Sequence, residues 1–570
     1  MARSARHRLP ARRRAARLLP LLLATAMAFG CLPEPPTGAS FEVESGTRTG
    51  GARIGTSPGA SRWRYVELGA RDEAAPRSGL AALPPMGFNQ YNHFGLHMTE
   101  SVMREITDAM VANGMRDAGY RYVNLDDSWQ GGRDDAGRIQ ANADFPSGIR
   151  ALADHVHDRG MKLGIYTTPN HTSCGGRTGS AGHVQQDVDS FASWGVDLIK
   201  LDWCNADLST DAAIAITTEW RDAIARAGRP MVLSINAGAG AEVGGWARRL
   251  ANMWRSGDDI CASWYNKTRA PDPAAEDCYT SRYHNGIFDY LTSRASADPE
   301  RVGPGHWADP DMLEVGNPGL SYEEARSHFG LWAMWSAPLI AGNDPRAMTP
   351  GSDASRILLN PEVIAVDQDP AGVMAGKVSD TGGLQVWSKP LADGSQAILL
   401  LNATDRAADI TATRSSLGLT GTYALRDLWA GRDLGSSTGD HTARAVPAHG
   451  SVLLRTVTDA PACATTVPVP DRGSVTKTIA VPAGGTYRVA SRMRGGGTAD
   501  AYLLQVDGGC PIEVGGTALP ARTWTWVDHR DGDRSAPVDV TLTAGAHELR
   551  MLGTGPGLGL DRVVLRFLGT

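Results

Sequence analysis

From Leu83 to about residue 375, short apolar runs alternate with stretches whose apolar residues recur at helical spacing. This is the pattern of strand–helix units that build a parallel sheet. Apolar runs with strand character begin at Met86, Tyr122, Lys162, Leu198, Met231, Met253, Trp307 and Ala337. Eight such strands close a barrel, so residues 83–375 are predicted to form a (β/α)8 TIM barrel. The first connecting helix is the clearest: Thr99 precedes a first turn carrying Glu100, and Met103, Ile106 and Met110 follow on one face.

Beyond Gly376 the helical period disappears. Residues 376–457 carry alternating runs such as LQVWSKPL and QAILLLNAT, predicting an antiparallel β-sandwich. After a break at 458–465, the segment 466–570 reads as strands joined by Gly and Asp turns, a β jelly-roll of the kind that binds carbohydrate. Trp524 and Trp526 share one strand face there, where they would either stack on a sugar or fill the core.

The amino terminus has a different texture. Seven Arg in the first 17 residues precede an apolar run ending near Gly30, which predicts an export signal over residues 1–30. Two outcomes stay open: cleavage after Ala28, or lipid attachment at Cys31, the one route by which the chain would reach a membrane. Residues 31–62 are rich in Pro, Gly and Ser and read as a flexible linker. Setting Cys31 aside leaves six cysteines, an even number that points to disulfides in an exported chain; Cys261 with Cys278 and Cys463 with Cys510 are candidate pairs. A net charge of −6 offers no basic face for nucleic acid.

Nearly every barrel strand ends in polar or aromatic residues: Asn89 and Tyr91, Asp126 and Asp127, Tyr166, Asp202, Asn236, Arg255 and Asp259, Asp309 and Asp311, Asn343 and Asp344. One strand-end Asp is usually a helix cap, but so many acids at the same ends imply a shared polar cleft at the barrel's catalytic rim. No metal-ligand set stands out, His306 near Asp309 and Asp311 being the nearest approach, and neither a phosphate loop nor a Gly-x-Ser-x-Gly elbow is present. A carboxylate-lined cleft that needs no cofactor suits glycosidic bond cleavage, with an oligosaccharide or polysaccharide as substrate.

The motifs PPMGFNQYNHFG, YRYVNLDDSW, KLGIYTTP, CGGRTGS, FASWGVDLIKLDWC, WRSGDDI, WADPDML, LWAMWSAPLIAGNDPR and VIAVDQDPAG, in that order, resemble those of glycoside hydrolase family 27, the α-galactosidases and α-N-acetylgalactosaminidases. The likeness runs from Pro84 to about Gly372. It implies a retaining mechanism with Asp202 as nucleophile and Asp259 as acid/base, with Asp258 as the neighbouring candidate for the second role. It also implies that Asp126 and Asp127 bind the C4 and C6 hydroxyls, that Lys200 and Arg255 are sugar-binding cations, that Tyr91, Tyr166 and Asp311 contact substrate, and that Cys174 pairs with Cys204.

The chain departs from the family in places. Phe88 and Tyr91 stand for Trp, Leu96 and Ser128 for a second cysteine pair, and SINAGAG for a segment containing Cys-Glu-Trp, so that Ala237 falls where a Glu reads the sugar's C2 substituent. The expected activity is removal of terminal α-galactose. The alternatives are α-N-acetylgalactosaminidase, β-L-arabinopyranosidase, or an inactive barrel serving as a carbohydrate-binding surface protein.

Overall fold

The computed structural model describes residues 39–49, 52–57, 60–61, 64–68, 80–204, 209–237, 243–265, 285–288, 301–419, 421–457, 473–495, 500–507, 511–519, 523–554 and 557–569. The export signal, Cys31, Cys278, Cys463 and Cys510 lie outside them.

All eight anticipated barrel strands are present: β1 (Met86–Asn89), β2 (Tyr122–Leu125), β3 (Lys162–Thr167), β4 (Leu198–Asp202), β5 (Val232–Asn236), β6 (Met253–Arg255), β7 (Trp307–Asp309) and β8 (Leu339–Ala341). They form one sheet in which β8 pairs β1 and each other strand lies beside its predecessor in the chain. Closure between β7 and β8 runs through Leu313, which bridges Ala341 in parallel. The register sets Lys200 beside Tyr166, Asp202 beside Asn236 and Arg255 beside Asp309, so the functional side chains form tiers at one end. At the other end Tyr122, Leu198, Val232 and Met253 make a small apolar plug packed against Leu80 and Ala81. Thr99 caps the helix Glu100–Ala112 as expected, accepting from the Val102 N–H, and Met103, Ile106 and Met110 are fully buried.

The sandwich domain has a six-stranded sheet facing a two-stranded one formed by Ala408–Ala412 and His441–Val446. The central strand Gln396–Asn402 shows why QAILLLN is apolar without interruption. Its odd positions Ala397, Leu399 and Leu401 join the barrel's core, whereas Ile398 and Leu400 fill the sandwich core. A strand buried on both faces loses the alternation of a half-exposed one. The barrel helix Tyr322–Met334 is covered in this way, with Phe329 and Trp332 fully buried. Lys389 is also sealed in this interface, its ammonium donating to the carbonyls of Ala333 and Val366 and to Ser336 Oγ. Burial depresses its pKa to about 8, although Asp367 and Asp369 oppose the shift.

The C-terminal module has two seven-stranded sheets, and here one expectation is corrected. The stretch read as a flexible linker carries strands Ser40–Glu42, Thr47–Thr49 and Arg53–Thr56, followed by Arg64–Leu68. Ser40–Glu42 and Arg64–Leu68 pair with the final strand Leu558–Gly569, and Thr47–Thr49 pairs with Ser474–Val481. Phe41, Val43, Val66 and Leu68 enter the module's core beside Tyr487, Val489, Met493 and Val563. The apolar positions are too sparse to announce a core in isolation; they work because partners some 500 residues away complete the sheet, as the Ser61–Asp561 bond across that separation illustrates. Barrel and sandwich are therefore an insertion within the module's chain path.

Truncation tests this topology. A chain of residues 80–457 is expected to unfold cooperatively and stay soluble. A chain of residues 39–457 keeps strands that have lost their sheet and exposes their apolar side chains, so it is expected to aggregate in light scattering. Equal solubility of the two would contradict the pairing.

Candidate active site

The cleft is built from strand ends. Asp126, next after β2, is 2% exposed and takes hydrogen bonds on one oxygen from Lys200 Nζ (2.7 Å) and Asn89 Nδ2 (2.6 Å). Its backbone N–H donates to Gln90 Oε1 (2.7 Å), and its other oxygen accepts the Asp127 N–H (2.9 Å). Asp127 in turn accepts the N–H groups of Ser128 (2.7 Å) and Gly175 (2.7 Å). Ser128 has a φ of +95°, a strained value for a residue with a β-carbon, and it turns the chain just after the acid pair. Asn89, Gln90 and Gly175 thus orient the two acids; the sequence marked Asn89 as a strand-end residue without giving it this role.

Asp202 ends β4 and stays partly exposed. The expected disulfide Cys174–Cys204 is present with a Cα–Cα distance of 5.0 Å, and Cys174 Sγ lies 3.6 Å from Asp202 Oδ2. Tyr166, 1% exposed, places its hydroxyl 3.2 Å from Cys204 Sγ and its ring 5.7 Å from Lys200 Nζ. Its pKa is driven up by burial and then by Asp202. The disulfide therefore forms one wall beside Asp202. Cys174, Asp202 and Cys204 are the one convergent set of three ligand-type side chains among the described residues, and two of the three are joined to each other. Cys261 is disulfide-bonded as well.

Across the cleft Arg255, 4% exposed, donates through Nη2 to Asp259 Oδ1 (3.0 Å) and pairs with Asp311 Oδ2 (3.0 Å). Asp311 adopts a φ of +90° and also accepts the N–H groups of Ile260 (2.9 Å) and Met312 (2.8 Å). Asp309 accepts the Asp311 N–H (2.9 Å), a contact the sequence did not reveal. Asp259 keeps half of its side chain exposed. Tyr91 sits at the rim, 37% exposed, with a pKa raised by burial and by Asp126. A small cavity among these strands is lined by Asn89, Asn124, Lys200, Asn236, Arg255 and Asp311 on its polar side and by Leu198, Met253, Met312 and Ile340 on its apolar side.

The electrostatics follow from too many buried carboxylates around two cations. Burial lifts Asp202 from 3.8 to about 6; Lys200 opposes the shift, while Asp126 and Asp259 add to it. Asp309 is likewise raised to about 6, mainly by burial. Burial works against the charge on Lys200 and Arg255, but Asp126 and Asp202 outweigh it at Lys200, and Asp311 and Asp259 do so at Arg255. Both cations are held above their ordinary pKa.

Similarity to known proteins shows the family. Family models described as alpha galactosidase A and as alpha galactosidase C-terminal beta sandwich domain match residues 92–369 and 381–456. The chain is 42% identical over 391 residues to alpha-galactosidase A of Cellvibrio japonicus, covering 66% of this chain and 92% of that protein. It belongs to the α-galactosidases of glycoside hydrolase family 27. The α-galactosidase of Cyamopsis tetragonoloba is 41% identical over 360 residues, 62% of this chain and 81% of its own. The crystal structure of α-galactosidase I from Mortierella vinacea superposes with a TM-score of 0.62 at 33% identity, covering 68% of this chain and all of that one. The chain is accordingly a glycoside hydrolase.

Two peripheral expectations meet the structure differently. Ala237 follows Asn236 at the end of β5 and packs, half-buried, against the barrel core; its neighbours Gly238, Ala239 and Gly240 lie outside the described residues. In the module Trp526 is 36% exposed and faces Arg492 across the strand pair. Trp524 is half-buried, edge-on to Tyr65 at 5.3 Å, with the Arg494 guanidinium 5.1 Å from its ring.

A carboxyl pKa raised on folding opposes stability once the group ionises. The folded state holds the Asp202 proton more tightly than the unfolded chain does. This contribution to stability is fully present below about pH 4 and is lost as pH rises through about 6. Asp202→Asn is therefore expected to raise the barrel's Tm at pH 7 and to change it little at pH 4. A fall in Tm at pH 7 would contradict the electrostatic account.

Proposed function

We propose that the protein is an exported, retaining exo-α-galactosidase whose covalent intermediate forms on Asp202. The observation that carries this reading is a partly exposed carboxylate at the end of β4, in the field of half-buried Lys200, buried Arg255 and a half-exposed carboxylate, Asp259, held by Arg255. A retaining glycosidase needs one carboxylate free to attack the anomeric carbon and a second able to reach the leaving oxygen.

In the first step an oxygen of ionised Asp202 bonds to C1 as the C1–O bond to the leaving group breaks, and Asp259 gives its proton to that departing oxygen. In the second step Asp259 takes a proton from water, the water oxygen bonds to C1, and the bond to Asp202 breaks. Asp126 and Asp127 are assigned to the C4 and C6 hydroxyls, with their oxygens oriented by Asn89, Lys200 and Gly175. Tyr91 provides an aromatic face at the rim. The absence of a carboxylate at Ala237 supports a pocket tolerant of substituents at C2, which makes α-N-acetylgalactosaminidase activity the second reading. The module, with Trp526 on its surface, is proposed to bind carbohydrate, and its ligand would hold the enzyme near polymeric substrate.

Asp202→Ala is expected to lower turnover of 4-nitrophenyl α-galactoside by several orders of magnitude while the fold persists, and added azide should restore part of it by replacing the lost nucleophile. Near-normal turnover in folded Asp202→Ala protein would overturn the assignment. Because Asp202 attacks as the anion, kcat/KM of the unmodified enzyme is expected to fall as pH drops through about 6. The C2 reading is checked by the ratio of kcat/KM for the α-galactoside and the α-N-acetylgalactosaminide. Ala237→Glu is expected to shift that ratio toward galactose; an unmoved ratio would show that this position does not read C2.

A further inference from the structure

His449 lies in the sandwich domain, in the turn between His441–Val446 and Ser451–Val457, with a φ of +57°. It is mostly buried, and both ring nitrogens meet carboxylates: Nδ1 is 2.7 Å from Glu324 Oε1 and Nε2 is 3.0 Å from Asp405 Oδ1. A ring that donates at both nitrogens is an imidazolium. Burial works against that charge, but the bonds to Glu324 and Asp405 outweigh it and raise the pKa.

What this cation holds is the segment that follows Asp259. The His449 ring stacks on Trp264 at 4.7 Å with the planes 13° apart, and meets Tyr265 edge-on at 5.3 Å. The Tyr265 hydroxyl lies 3.2 Å from Nε2 and donates to Asp405 Oδ1. Between Asp259 and Trp264 the chain is laced to residues 285–288, where Asn285 bridges Ile260 in parallel. The Asp259 carbonyl accepts from the Asn285 N–H (2.8 Å), Cys261 N–H donates to the Asn285 carbonyl (3.1 Å), and the Phe288 N–H donates to the Trp264 carbonyl (2.8 Å). The approach is so close at Gly286 that any β-carbon there would run into the Tyr265 backbone.

A second connection leads to the same place. Glu324, besides holding His449, closes the capping box of the helix Tyr322–Met334, and Ser327 of that helix donates to the His449 carbonyl (2.6 Å). Trp332 of that helix donates to the Asp311 carbonyl (2.9 Å). The Asp311 carboxylate in turn holds Arg255 and the Ile260 N–H, the groups on either side of Asp259.

We propose that His449 is a positioning residue for Asp259: the sandwich domain clamps the acid/base loop through this imidazolium and so sets the carboxyl's aim at the leaving oxygen. The proposal rests on Asp259 being the acid/base. It assigns the second domain a part in proton transfer rather than only in covering the barrel.

The test compares leaving groups in the full-length enzyme. An α-galactosyl disaccharide needs its leaving oxygen protonated, and a 4-nitrophenyl galactoside does not. His449→Ala is expected to lower kcat/KM, which reports the step that expels the leaving group, about tenfold for the disaccharide, with kcat/KM for the nitrophenyl substrate within about threefold of normal. Tyr265→Phe keeps the ring and loses the hydroxyl; it is expected to show the same asymmetry, smaller in size. Parallel losses on both substrates, or no loss, would overturn the proposal. Should His449→Ala fail to fold, Tyr265→Phe decides the matter alone. Asp259→Ala in the same assay separates the two levels. If it shows no leaving-group dependence, the acid/base assignment falls and this inference with it. If it does and the clamp variants do not, the clamp alone is wrong.

Discussion

Two cations, half-buried Lys200 and buried Arg255, make the active end of this barrel possible. Six carboxylates converge on the ends of β2, β4, β6 and β7, and burying them without counter-charge would drive them to protonate or drive the site open. Lys200 holds Asp126 and sits in the field of Asp202; Arg255 divides itself between Asp259 and Asp311. Burial is what lifts Asp202 and Asp309 to about 6; the cations offset it only in part, and neighbouring carboxylates add to it. A pKa just below neutral leaves the Asp202 carboxylate ionised at pH 7 while making it less comfortable than in water; in the proposed role of nucleophile, that discomfort is relieved when it bonds to carbon.

Everything around the cations serves to keep their partners in place. The acid pair at β2 is tied by three backbone N–H groups from two segments, and Asp311 binds two more. Such bonds fix direction as well as charge, so reorientation is not required during the reaction. The sandwich domain extends this support. Its central strand contributes one face to the barrel's core, and His449 reaches past it to the loop after β6. In the proposed clamp the two domains together hold Asp259.

Much of this was legible in the sequence because the signals are local. A strand such as Leu198–Asp202 announces itself by an apolar run that stops on an acid, and eight apolar runs, most of them followed by a polar or aromatic residue, locate the strand ends together. Asn89, Gln90 and Gly175 were not legible as orienting groups, since their partners come from other strands and nothing in an Asn or a Gly names them. His449 was invisible for the same reason. The stretch from residue 40 to 56 was misread as a tether because Phe41 and Val43 are sparse apolar positions in a Gly- and Ser-rich setting; only the final strand, Leu558–Gly569, makes them core. Local composition cannot report a sheet completed from the far end of the chain.

The central claim is that Asp202 forms the bond to the sugar. A fluorinated galactosyl inactivator that forms the glycosyl-enzyme quickly and releases it slowly traps that bond for peptide mass spectrometry. The account expects stoichiometric loss of activity with the sugar's mass added to the peptide that contains Asp202. Label on Asp259 or Asp309, or inactivation with no covalent sugar in an otherwise active enzyme, would contradict it.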